Sequence, residues 1–64
     1  MNQGIVKVWN SDKGFGFIEG DDGEDYFFNI ANIRKGQKIS KGDKVKFDSI
    51  ETMKGCEAEN ISQY

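Results

Sequence analysis

Lys13-Gly14-Phe15-Gly16-Phe17-Ile18 and, after a short acidic turn, Asp25-Tyr26-Phe27-Phe28-Asn29-Ile30 form the stretch that decides the fold. Successive side chains of a strand point to opposite faces. Phe15 and Phe17 therefore share one face of their strand and Ile18 takes the other. In the second segment Tyr26 and Phe28 oppose Phe27 and Asn29. The turn between them, Gly20-Asp21-Asp22-Gly23, is built from residues that tolerate positive φ, as is Ser11-Asp12-Lys13-Gly14 before them. Six of the eight aromatic residues lie in the twenty positions from Trp9 to Phe28.

Outward from this stretch, short β-branched and aromatic runs at 3–10, 15–20, 25–30, 44–51 and 56–61 predict five strands. Met53-Lys54-Gly55 turns the fourth into the fifth. Residues 31–43 make the longest connection, with a single helical turn predicted at 31–34. No segment sustains a 3.6-residue apolar period over three turns, so the class is all-β. Five short strands in an open sheet would leave exposed edges. Closure into an OB-type barrel removes them, with an SH3-like barrel as the competing architecture. Val6, Ile18, Phe28, Ile33, Val45, Phe47, Ala58 and Ile61 suffice for its core. Phe15, Phe17 and Phe27 are then surplus and form an outward strip.

The whole sequence, residues 1–64, reads as a single domain. A chain this short buries only about 60% of its unfolded surface and has no room for a cleft between domains. No apolar run approaches the ~20 residues of a membrane span, and Met1-Asn2-Gln3 does not open a signal peptide. Cys56 is the only cysteine, which excludes an internal disulfide and fits a cytoplasmic protein. Histidine is absent, which removes the commonest general base and His/Cys metal sites. We therefore expect no enzyme, no cofactor and no metal.

An aromatic strip on a sheet suits unpaired bases, because every base has a π-face. Lys7 and Lys13 flank the strip and are candidates for phosphate contacts, with Lys54 as a third. Asn10, Asp25 and Asn29 are candidates for the Watson–Crick edge of a stacked base. Nine basic against eleven acidic residues give a net charge of −2, which at first argues against nucleic acid. That sum hides a separation. Residues 19–25 hold five acids and no base, while 34–46 hold six bases and one acid. The rival reading is a protein-docking barrel whose strip receives a peptide or a second copy of the chain.

The run from Gly4 through Val6-Lys7-Val8-Trp9-Asn10-Ser11-Asp12-Lys13-Gly14-Phe15-Gly16-Phe17-Ile18 resembles the first hairpin of the bacterial cold shock proteins without a gap. Asp25-Tyr26-Phe27-Phe28-Asn29-Ile30 is similar to that family's second ribonucleoprotein motif, and 42–47 and 54–61 to its last two strands. The resemblance implies a five-stranded antiparallel OB barrel that binds single-stranded RNA or DNA as an RNA chaperone. We expect a monomer, with a strand-swapped dimer as the alternative. The departures bear on affinity. The family's Lys-Trp-Phe-Asn is Lys7-Val8-Trp9-Asn10, its histidine is Asn29 and the following phenylalanine is Ile30. No aromatic remains between Phe28 and Phe47. Trp9 is a further candidate for stacking on bases, and whether it shares the outer face depends on whether a bulge interrupts the strand. Binding weaker than the family norm is expected.

Overall fold

The computed structural model describes residues 2–64; Met1 lies outside them. Strand β1 covers Asn2–Asn10, β2 Phe15–Gly20, β3 Asp25–Asn29, β4 Lys44–Thr52 and β5 Gly55–Gln63. A 3₁₀ turn at Ile30–Asn32 follows β3. It begins one residue earlier than expected because Asn29 caps it. The Asn29 side chain accepts from the Ala31 N–H at 2.9 Å, and the Asn32 side chain accepts from the Asn29 N–H at 2.9 Å. This capping box satisfies two donors that the end of the ladder would leave orphaned.

The strands close in the order β1-β2-β3-β5-β4, so among the described residues every strand has a neighbour on both sides. Long β1 serves two neighbours at once: Gly4 has Gly20 on one side and Val45 on the other. One pairing departs from a wholly antiparallel barrel, and parity requires it. An odd number of strands in a ring cannot alternate in direction at every step. The parallel pair is β3–β5, joined at Phe27 and Glu57, with Ile33–Ile61 as a further parallel bridge.

Val6, Ile18, Phe28, Val45, Phe47, Ala58 and Ile61 fill the barrel as expected, each with 1% exposure or less. Tyr26 joins them from β3, and Ile39 reaches in from the long loop. Ile33 is only half-buried and packs against the rim. Gly16 faces inward, where an added Cβ would lie 2.2 Å from the Val8 carbonyl oxygen and 3.0 Å from the Phe28 ring. Its role is to let β1 and β2 approach over Phe28.

Two bulges bend the strands enough to close so small a ring. In β1 the register passes from Val6–Ile18 to Val8–Phe17, leaving Lys7 as the extra residue. In β5 it passes from Ser62–Lys46 to Glu59–Asp48. There Asn60 adopts φ 53°, a left-handed conformation that asparagine tolerates well, and its Nδ2 donates to Asp48 Oδ2 at 3.0 Å.

Candidate nucleic-acid interface

The bulge at Lys7 organises the outer face of β1. Lys7 and Val8 both point outward, so the alternation beyond them is reversed and Trp9 turns inward. Trp9 stacks on Phe28 with ring centroids 5.3 Å apart and an interplanar angle of 17°. Val8, 46% exposed, occupies the outward place opposite Phe17. Trp9 therefore packs on the inner side of the bulge, apart from the three phenylalanines. Its remaining surface lines a hollow of about 460 Å³ beneath the basic loop, with Ile30, Arg34, Lys35 and Lys38.

Phe15, Phe17 and Phe27 lie together on the outside of β2 and β3. Phe17 and Phe27 are directly paired in register, and their rings meet edge-on at 5.6 Å and 69°. Phe15 and Phe27 lie nearly parallel, 6.4 Å apart at 23°. Phe27 is thus the middle of three touching rings. Phe17 is 38% exposed, and the other two are half-buried. Such a face offers bases a continuous stacking surface.

The polar candidates divide by position. Lys7 reaches across to two carboxylates, Glu19 at 4.0 Å and Asp25 at 3.7 Å. These exposed pairs contribute only ~0–1 kcal/mol, so a phosphate can compete for Lys7 at little cost. Asn10 Oδ1 accepts the Lys13 N–H at 3.1 Å and so holds the first turn. The Lys13 side chain stands exposed on that turn. Asn29 uses its Oδ1 as a cap, which leaves its amide nitrogen free of hydrogen bonds among the described residues.

Lys54, at the tip of the β4–β5 hairpin, comes next to the strip. It lines a hollow of about 390 Å³ together with Phe17, Phe27, Asn29, Cys56 and Glu57. Neither Cys56 nor Glu57 is a candidate for this site on the sequence alone. They reach the site only because β5 runs beside β3, a contact between distant segments that no local pattern announces.

The acidic turn is tied to the barrel at one residue, Asp22. Tyr26 donates its hydroxyl to Asp22 Oδ2 at 2.6 Å, and Asp22 Oδ1 accepts the Glu24 N–H at 2.9 Å. The Tyr26 hydrogen bond, then that of Glu24, hold the Asp22 carboxyl below the usual carboxylate range. The same bond to Asp22, with burial second, raises the Tyr26 hydroxyl above its ordinary value. Among the described residues no three His, Cys, Asp or Glu side chains are grouped to hold a metal ion. No helix of the described chain is long and apolar enough to cross a membrane.

A closed five-stranded barrel with an outward aromatic strip on β2 and β3 defines a small OB-type domain. The family model described as "'Cold-shock' DNA-binding domain" matches residues 2–64. The chain belongs to the cold-shock domain family. It is 38% identical to cold shock protein CspC of Bacillus subtilis (strain 168), over 98% of each chain. It is 40% identical to cold shock protein 1 of Lactiplantibacillus plantarum (strain ATCC BAA-793 / NCIMB 8826 / WCFS1), covering 95% of this chain and 96% of the relative. Identity is also 40% with the major cold shock protein of Streptococcus pyogenes serotype M18 (strain MGAS8232), over 98% and 97%. The solved structure of Drosophila Unr CSD456 superposes with a TM-score of 0.81 at 23% identity, a likeness of fold. That match takes in 98% of this chain and 26% of the longer one.

Proposed function

We propose that this chain binds single-stranded RNA or DNA across Phe15, Phe17 and Phe27, and acts as an RNA chaperone that keeps weakly paired transcripts open. The observation that carries the reading is three touching aromatic rings on the outside of a cold-shock barrel whose core is complete without them. Stacking on such rings contributes ~1–3 kcal/mol per base with little dependence on sequence. Lys13 and Lys54 supply phosphate contacts, and Lys7 joins them once a phosphate displaces its carboxylates. The protein acts by binding, as a monomer in the cytoplasm, and performs no covalent step. Family membership favours bases over a peptide as occupant of the strip.

With Val8 and Ile30 in place of aromatic residues and Trp9 turned inward, affinity is about micromolar or weaker. The test is fluorescence anisotropy of labelled oligo-U and oligo-dT at several salt concentrations. Trp9 is a poor primary reporter because it faces Phe28. About three phosphate contacts predict a slope of log K against log[salt] near −2. A strand left unbound at high micromolar protein would overturn the reading.

A further inference from the structure

We infer that the hollow between β3 and β5 reads one base of the bound strand, and that this base is guanine. The inference rests on the single-strand reading above and assigns the chemistry of one subsite within it. Glu57 carries it. Ala58 is fully buried, so by alternation along β5 the Glu57 side chain points outward. Glu57 is the register partner of Phe27, the central ring of the strip, and stands on the same outer face. Among the described residues its carboxylate makes neither an ion pair nor a hydrogen bond. Lys54 and the unengaged Asn29 amide nitrogen border the same hollow. A base stacked on Phe27 or Phe17 therefore brings its edge to an acceptor-only carboxylate with two donor groups beside it.

Guanine is the one base that can fill both carboxylate oxygens at once. A carboxylate accepts two parallel hydrogen bonds and donates none. Guanine presents adjacent donors, N1–H and N2–H, with the acceptor O6 next to them for Asn29 or Lys54. Adenine and cytosine offer one amino group beside a ring nitrogen whose lone pair would face the second carboxylate oxygen. Uracil and thymine place a single N–H between two carbonyl oxygens, which the carboxylate repels. Discrimination thus comes from attraction to guanine and repulsion of uracil together.

The test compares hexauridylate with its single-guanosine variants, each position in turn, by anisotropy at one salt concentration. At the position that falls on the hollow, guanosine should bind about tenfold tighter than uridine, in line with a bidentate base contact. Inosine at that position, lacking the 2-amino group, should lose most of the gain. In Glu57→Gln, checked for native circular dichroism beside Glu57→Ala, the guanosine-to-uridine ratio should collapse toward one. If hexauridylate binds and no guanosine variant differs from it by more than about twofold, this inference fails while the single-strand reading stands. A guanosine preference that Glu57→Gln leaves intact would also overturn the assignment. If no strand binds at all, both readings fail.

Discussion

Individual residues divide between strip and core, and the division has measurable consequences. Phe17 and Phe28 sit eleven positions apart, yet one is 38% exposed and the other has no exposure. Phe17→Ala should leave the barrel folded, losing about 1 kcal/mol of ring contact, and weaken strand binding by ~1–3 kcal/mol. Phe28→Ala should remove ~3–5 kcal/mol. That is comparable with the whole stability of so small a domain, about 3–10 kcal/mol, so thermal melting should show little native protein. Val8 offers the reverse test. It is outward, opposite Phe17, and lacks a ring. Val8→Trp should tighten binding of oligo-U about fivefold or more with an unchanged melting temperature, read by anisotropy and calorimetry.

At the scale of elements, the strands were legible from alternation, because the period of two is a local property of the chain. The outward face of β2 and β3 followed directly, and with it Phe15, Phe17 and Phe27. The bulge at Lys7 was not legible. It depends on how β1 must bend to pair with β2 and β4 at once, a demand that arises only when the ring closes. Its effect is large for Trp9, which it turns onto Phe28. Gly16 sits at the close approach this bend creates. Gly16→Ala would place a methyl group 2.2 Å from the Val8 carbonyl oxygen. It should cost about 1–3 kcal/mol or more through overpacking, and lower the melting temperature by several degrees per kcal/mol. An unchanged melting curve would show that β1 and β2 do not meet as described.

For the molecule as a whole, charge and pH bear on stability and binding separately. The bond from Tyr26 to Asp22 ties the β2–β3 turn to the core. Asp22 is depressed, so its contribution to stability is present above the ordinary carboxylate range and is lost as pH falls through its lowered value. Tyr26 is raised, so its contribution is complete below about pH 10 and is lost as pH rises through its higher value. Tyr26→Phe should therefore flatten the pH dependence of the melting temperature at both extremes, checked by calorimetry across pH. A profile as steep as that of the parent chain would remove this bond from the account.

The sequence by itself determined the all-β class, the five strands, most of the core and the outward phenylalanines, because alternation and turn chemistry act between near neighbours. It also showed that net acidity conceals an acidic turn and a basic loop. The tertiary structure alone decided which face Trp9 occupies, that Lys7 is held by Glu19 and Asp25, and that β5 brings Lys54 and Glu57 beside Phe27. Those outcomes depend on ring closure, on strand parity and on contacts between segments distant in the chain. No local pattern records them.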